Sequence, residues 1–460
     1  METETIAAIS TALGEGGIGI VRISGVQALE IARRIFRLRD GSVLEAPVSH
    51  RAVYGKVIDP GTGAVVDEAL LLFMQAPRSY TCEDVVELQC HGGALPLRKV
   101  LSLALSSGAR LAEPGEFTKR AFLNGRLDLS QAQAVMDVIH AKTEASLRMA
   151  AGHLEGAFSK RIRACRDEIL RYIAQIEAKI DFPEDDVADL EDTEIVEAVQ
   201  TLADEMDELL ATAHTGRILR DGLKTVLAGR PNVGKSSLLN ALLQEERAIV
   251  TDIPGTTRDA IEEYVNLGGV PLRIVDTAGI RATDNPIEKI GVQKSRAFIE
   301  RADLILLLLD GTQPLEAADA ELLASVDTRR AIVLLTKADL PQRIDCKSVA
   351  ERVPQAEILR VSSKTGEGLK ALEQRIFELA YGGNRVEAEA YYLQDVRQEE
   401  ILRQARVHLM EVVRTFENGL TQDFLVIDLR AAWEKLGEIT GDTVHPAILD
   451  EIFSRFCIGK

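Results

Sequence analysis

TVLAGRPNVGKSSLLNALL, residues Thr225 to Leu243, runs an apolar strand into a glycine-bearing turn and then directly into a helix. Within it GRPNVGKS, Gly229 to Ser236, fits G-x-x-x-x-G-K-[ST] in the strand–loop–helix setting that gives the pattern meaning. Glycines let backbone N–H groups curl around phosphate oxygens, and the helix N-terminus adds partial positive charge. Asn232, Val233, Gly234, Lys235, Ser236 and Ser237 are therefore the expected phosphate-contacting stretch. Lys235 reaches toward β- and γ-phosphates, and the Ser236 hydroxyl is placed to ligate Mg²⁺.

Three further pieces follow in the order a GTPase needs. TDIPGTTRD supplies a polar loop, Thr251, Asp252, Ile253, Pro254, Gly255, Thr256 and Thr257, whose threonines suit closure over Mg²⁺ and γ-phosphate. After a strand, IVDTAG puts Asp276 in the expected Mg²⁺-side acidic position, with Thr277, Ala278 and Gly279 following; the Gly279 N–H would be available to a γ-phosphate. AIVLLTKAD then ends a strand with Thr336, Lys337 and Asp339. The Asp339 carboxylate can accept from N1–H and N2–H of guanine, a donor pair adenine lacks, and Ser362, Ser363 and Lys364 of VSSKTGEGL back the base. Together these predict a GTP site in a Ras-like α/β domain. Two residues depart from the common pattern: Ile280 follows DTAG where a water-orienting Gln is usual, and Thr336 stands where Asn opens NKxD. Threonine keeps a hydroxyl but lacks the amide's reach, which predicts weaker nucleotide binding with guanine selectivity retained.

A length of 460 residues predicts two or three domains, and a content of 46 % apolar and 27 % charged residues is that of a soluble globular chain. The longest apolar run, Leu304 to Leu309, is a strand's length, far short of the roughly 18 residues a membrane span requires. METETIAAIS lacks a basic n-region and an apolar h-region, so a cytoplasmic location is expected. Five scattered cysteines, Cys82, Cys90, Cys165, Cys346 and Cys457, form no CxxC and predict reduced thiols. A net charge of −18 argues against coating nucleic acid by bulk attraction, but is compatible with an RNA substrate gripped by a local basic patch of the protein or delivered by a partner. DFPEDDVADLEDTE, 181–194, carries eight carboxylates and reads as a solvated helix face or linker.

The texture changes twice along the chain. Residues 1–119 mix strand-like runs (IGIVRI, ALLLFM, DVVELQC) with Gly and Pro, a small α+β domain. From Leu154, apolar residues at steps of three and four through Ile180 predict one long amphipathic helix, followed by a second over Ile195–Leu209. Helical spacing returns after about residue 396, with Trp433 on the apolar face as core. The fold class is thus multidomain, α/β plus α: an N-terminal α+β domain, a discontinuous helical domain from 120–220 and 383–460, and a P-loop α/β domain, 221–382, inserted between its halves.

GGIGIVRISG, YTCEDVVELQCHGG, PGEFTKRAFLNGRLDLSQAQAV, the P-loop, TDIPGTTRD, DTAGIR and the final FCIGK occur in this order, and in them the chain resembles the MnmE (TrmE) tRNA-modifying GTPases. The resemblance implies a folate-binding N-terminal domain, a homodimer formed through it, and G domains that meet when GTP and K⁺ are bound. It implies K⁺ ligands at Asn232, Thr251, Ile253 and Thr256, Mg²⁺ ligation by Thr257 beside Ser236, and a water-orienting Glu288 that compensates for Ile280. It further implies modification of C5 of the wobble uridine of certain tRNAs with a flavoprotein, MnmG (GidA). A carboxymethylaminomethyl group would be added, its one-carbon unit drawn from 5,10-methylenetetrahydrofolate bound at Arg22, Glu83, Arg126 and Lys460. A carboxylate suits the 2-amino-pyrimidinone edge of a pterin, and Arg and Lys suit a polyglutamate tail.

A different class, the ribosome-assembly GTPases, shares the P-loop and DTAG, but would be expected to carry a Lys/Arg-rich RNA module where acidic helices stand here. His91, between a strand and two glycines, reads as structural more readily than as a base. FCIGK is a poor lipidation box, since Gly459 and Lys460 occupy positions that need an aliphatic and a permissive residue. Ile452, Phe453, Phe456 and Ile458 are expected to pack; with the tail against the folate domain, Cys457 would lie near the one-carbon carrier beside Lys460, either as a catalytic thiol or as a structural one.

Overall fold

The computed structural model describes residues 4–181, 192–245, 263–275, 302–325, 330–382 and 392–460. These form two compact units. The first, Met1–Met136 with His153–Leu190 and Arg414–Lys460, is built on a seven-stranded sheet. Its strands are β1 (Ile6–Ile9), β2 (Gly19–Ser24), β3 (Phe36–Leu38), β4 (Ala52–Ile58), β5 (Val65–Met74), β6 (Val85–Cys90) and β7 (Arg110–Leu111), in the order β3-β4-β5-β6-β2-β1-β7. All neighbours are antiparallel except β1 and β7. Helices Ala28–Ile35 and Ala94–Ser106 cover one face, burying Ile31, Ile35, Leu97 and Val100 with Val21, Ile23, Leu71 and Val86. The polar sides of these helices remain in solvent, the usual consequence of an amphipathic stripe.

In the same unit, helix Ala157–Asp181 runs beside helix Gln422–Thr440. It buries Phe158, Ile162, Cys165, Ile169, Ile173 and Ile176, the stripe read from the sequence. The helix starts at Ala157, however, and not at Leu154. Gly156 takes φ of +81°, a left-handed turn that separates it from the preceding helix, which ends at Leu154. Trp433 also differs from expectation. It is half-buried, with the Arg166 guanidinium 4.5 Å from its ring centroid and Asp442 paired to that guanidinium. The indole is a platform for a cation, where a core residue was expected.

The second unit, Asp137–Gly152 with Glu191–Val413, holds a six-stranded sheet. Its strands are β8 (Leu223–Ala228), β9 (Glu263–Leu267), β10 (Val270–Val275), β11 (Leu304–Asp310), β12 (Ala331–Thr336) and β13 (Glu357–Arg360). The order is β13-β12-β11-β8-β10-β9, parallel throughout except the β9–β10 hairpin. Every residue of β11 and β12 is buried, which explains why both read as unbroken apolar runs. Helices Lys235–Glu245 and Leu369–Tyr381 pack Leu238, Leu242, Leu372 and Ile376 with Leu306, Leu308, Ile332 and Leu334 on one face. Leu323 and Val349 join Ile305, Leu307, Val333 and Leu335 on the other. This is the P-loop α/β domain expected from the sequence. Loops at the carboxyl ends of β8, β11 and β12 gather on one edge, where open α/β sheets bind ligands. Among the described residues, no helix is long and apolar enough to cross a membrane.

Candidate functional site

The phosphate-binding loop leaves β8 at Gly229, whose φ of +151° brings its backbone against β11. A Cβ there would lie 2.6 Å from the Leu308 carbonyl oxygen, so only glycine allows this close approach. Asn232 forms the exposed tip at φ +62°, and Gly234 follows at +103°. These left-handed residues turn the chain so that Lys235 opens the helix, with Ser236 and Ser237 exposed in its first turn. Val233 is buried and anchors the loop in the core. The Lys235 ammonium donates to the Gly229 and Arg230 carbonyls at 2.5 and 2.9 Å, which arches it across the loop. Arg230 ties the same loop to Asp319 (2.8 Å), a buried carboxylate at the start of helix Ala317–Ser325. A cradle of this kind, with an ammonium and a helix N-terminus, fits a nucleotide's phosphates.

The base loop follows β12. Thr336 is buried, and its hydroxyl lies 2.7 Å from the Val233 carbonyl and 3.1 Å from that of Leu309. Its single proton therefore joins the base loop to the phosphate loop, a bond of about 1 kcal/mol. The departure at Thr336 thus retains a structural tie and presents no donor to a base. Asp339 is exposed, and its Oδ1 accepts from the buried Ser362 hydroxyl at 2.7 Å. That bond fixes the carboxylate plane while leaving both oxygens lone pairs for a donor pair. Ser362 also accepts from the Lys364 and Thr365 amides at 3.3 Å, which curls the loop beneath Asp339, with Ser363 at its bend. Thr251, Asp252, Ile253, Pro254, Gly255, Thr256, Thr257, Asp276, Thr277, Ala278, Gly279 and Glu288 lie outside the described residues, as do Ile280 and most of the acidic run.

A second candidate site is a cavity in the first unit. It has a volume of about 600 Å³ and is walled by Arg22, Arg126, Tyr80, Cys82, Glu87 and Asn124, among others. That volume is in the range of small-ligand sites. Both expected arginines face it. The guanidinium groups of Arg22 and Arg126 stand 5.5 and 5.1 Å from the Tyr80 ring centroid. Arg22 also pairs with Glu87 (2.9 and 2.8 Å), a carboxylate that strand alternation alone did not single out. Glu83 is turned differently: it pairs with Arg120 (3.1 Å) and accepts from the Ser24 hydroxyl (2.8 Å).

The last five residues dock on this unit. Ile458 bridges Pro114, the Gly115 amide donates to the Cys457 carbonyl (3.3 Å), and the Phe117 amide donates to Lys460 (3.2 Å). Gly459, at φ +93°, has its Cβ direction 2.3 Å from the Ile9 carbonyl oxygen, and its own carbonyl lies 3.5 Å from Arg22 Nη1. Phe453 and Phe456 are buried, as expected, but Ile458 is 55 % exposed because the backbone bridge turns its side chain outward. Burial, then the Arg22 charge, holds the Lys460 ammonium below the usual lysine range, with Cys457 and Glu87 partly opposing. Cys457 is exposed, whereas burial pushes the Cys90 thiol up to about 12 and leaves it inert. Nearby, His91 Nδ1 meets Asp67 Oδ1 at 2.6 Å and its amide donates to Oδ2 at 2.9 Å, a pairing that raises its pKa.

Strand, phosphate loop, helix and paired base loops together define a P-loop GTPase of guanine-nucleotide type. Profiles described as "MnmE helical domain" and "GTP-binding protein TrmE N-terminus" match residues 129–457 and 5–126. The chain belongs to the MnmE family of tRNA modification GTPases. It is 51 % identical to the tRNA modification GTPase MnmE of Heliobacterium modesticaldum, over 100 % of both chains. It is 50 % identical to that of Geobacillus kaustophilus, again over 100 % of each. Among solved structures, the G domain of the T. maritima FeoB iron transporter is 27 % identical, covering 34 % of this chain and 98 % of that one at a TM-score of 0.26.

Proposed function

We propose that this chain is a potassium-dependent GTPase of the cytoplasm that, with a flavoprotein of the MnmG (GidA) kind, adds a carboxymethylaminomethyl group at C5 of the wobble uridine of certain tRNAs. The observation that carries this reading is relatedness at about half identity along the entire length of proteins named tRNA modification GTPase. The proposed organisation is an N-terminal folate-binding and dimerising domain, 1–119, a helical domain from 120–220 and 383–460, and a G domain, 221–382. The active form is a homodimer in which meeting of the G domains activates hydrolysis.

In the G domain, Lys235 and the amides of the phosphate loop hold the phosphates, Ser236 and Thr257 hold Mg²⁺, and Asp339 reads the base. Asn232, at the exposed loop tip, would hold K⁺ with Thr251, Ile253 and Thr256, and Glu288 would orient the attacking water. A bound K⁺ supplies positive charge beside the transferring phosphoryl group, the contribution an arginine finger makes elsewhere. Hydrolysis in potassium should therefore exceed that in sodium by on the order of 10-fold or more. Equal rates in the two salts, by steady-state phosphate release, would remove the potassium step.

In the first unit, Arg22, Arg126 and Lys460 supply the cationic groups a reduced folate with a glutamate tail requires, and Glu83 belongs to the same proposed set. A reduced one-carbon folate such as 5,10-methylenetetrahydrofolate supplies the bridging carbon when bound. Cys457 is exposed beside Lys460 and is assigned as the thiol that assists modification. Cys457→Ser is expected to leave GTP hydrolysis unchanged and abolish wobble-uridine modification in a reconstituted assay. Normal modification by the variant would make the thiol structural.

A further inference from the structure

We propose that Asp310, which ends β11, is the positioning residue for the guanine base loop, acting through Lys337. This rests on reading the G domain as a guanine-nucleotide site and names a residue that reading does not use. Asp310 is buried, and its two carboxylate oxygens have different partners. Oδ2 accepts from the Lys337 ammonium at 2.6 Å, and Oδ1 accepts from the Thr312 amide (3.0 Å) and hydroxyl (2.7 Å). Burial pushes this carboxyl up, but the bonds from Lys337 and Thr312 outweigh it and hold the pKa below the usual carboxylate range. The carboxylate is thus charged and fixed from both sides.

Lys337 needs such an anchor. Its backbone is left-handed, φ +58°, a conformation that costs a non-glycine residue about 1 kcal/mol or more, and its side chain is 39 % exposed. Asp310 and Thr336 are register partners in the parallel β11–β12 pair, so the sheet itself sets the carboxylate beside Lys337. The turn after Asp310 extends the brace. The Gly311 amide donates to the Thr336 carbonyl (3.2 Å), and the Gly311 carbonyl accepts from the Arg343 amide (2.6 Å). A Cβ at Gly311 would fall 1.8 Å from Gln342 Oε1, and Gln342 donates to the Lys337 carbonyl at 2.8 Å.

The chemistry follows from this geometry. With its ammonium held by Asp310, Lys337 is committed away from the phosphates. Its four-carbon stem is then a fixed apolar strip, two residues before the Asp339 carboxylate that reads the base edge. A strip in that place suits the flat face of a purine, opposite the Ser362–Lys364 loop. Asp310 therefore sets base-face affinity, while Asp339 sets which base is chosen.

The test is a double-mutant cycle on the full chain, with affinities for GDP and IDP measured by calorimetry for wild type, Asp310→Asn, Lys337→Met and the double variant. Asp310→Asn is expected to weaken GDP and IDP equally, by about 10-fold, the scale of one charge-assisted bond. The GDP/IDP ratio should stay at the wild-type value, and the double variant should be no weaker than Lys337→Met. Unchanged GDP affinity in Asp310→Asn, or strictly additive losses, would overturn the proposal, as would a GDP/IDP ratio that shifts. Asp310→Glu, which keeps the charge, should recover part of the affinity; no recovery, with the melting temperature of Asp310→Asn lowered, would assign Asp310 to the fold alone. Wild-type chain that binds no guanine nucleotide would instead remove the underlying site reading.

Discussion

Asp339→Asn is expected to exchange guanine for xanthine as the preferred base. The carboxylate is held by the Ser362 hydroxyl on Oδ1, so the substituted amide should keep its oxygen on that side and present its NH₂ on the other. Guanine offers two donors to this edge, and the amide meets one of them with a donor of its own. Loss of a charge-assisted pair costs about 1.5–3 kcal/mol and an unmatched donor about 1–3 kcal/mol, so GTP affinity should fall on the order of 10²–10⁴-fold. Xanthine carries a carbonyl where guanine carries its amine, and this accepts from the new NH₂. Steady-state hydrolysis should therefore show kcat/KM for XTP overtaking that for GTP, with kcat on XTP near the wild-type GTP value. A variant that keeps its preference for GTP would place base recognition elsewhere in the domain.

The second large effect is expected at Lys235. Its ammonium reaches across the phosphate loop to the Gly229 and Arg230 carbonyls, where a phosphate oxygen can take the place of a carbonyl partner. Lys235→Met removes the charge and keeps the stem. Loss of one preorganised cation at a transferring phosphoryl group costs on the order of 10²–10³ in kcat. The residue is only half-buried in the first turn of its helix, so the melting temperature should stay within a few degrees of wild type. Single-turnover hydrolysis separates the two effects, because the chemical step should slow even at saturating GTP.

Which of these residues are legible in the sequence alone follows from how far each feature depends on distant chain. The phosphate loop was legible because phosphate chemistry demands glycine, lysine and a hydroxyl at fixed spacing, and β8 and helix Lys235–Glu245 flank it as expected. The apolar runs of β11 and β12 were legible because a parallel sheet covered on both faces tolerates little else. Gly156 was missed as a helix boundary because Leu154 happens to fall on the stripe of the following helix. Ile458 was expected to pack, but the tail is held by backbone bonds that apolar periodicity does not encode. Asp310 and Lys337 are 27 residues apart and meet only through β-sheet register, so no local pattern could join them. Glu87 sits in a strand whose neighbours are buried, and its pairing with Arg22 needs the β2–β6 register that sets the two opposite each other. Thr336 was visible as a departure from NKxD, yet its meaning depended on the position of the Val233 carbonyl.

The most direct measurement is the wobble-uridine content of tRNA, by nucleoside mass spectrometry, from cells lacking this chain and from the same cells supplied with wild type or Lys235→Met. The C5-carboxymethylaminomethyl nucleoside should disappear without the chain, return with wild type, and stay absent or sharply reduced with the variant. Full modification in cells lacking the chain would contradict its assignment to tRNA modification, and full restoration by Lys235→Met would contradict the link to GTP hydrolysis.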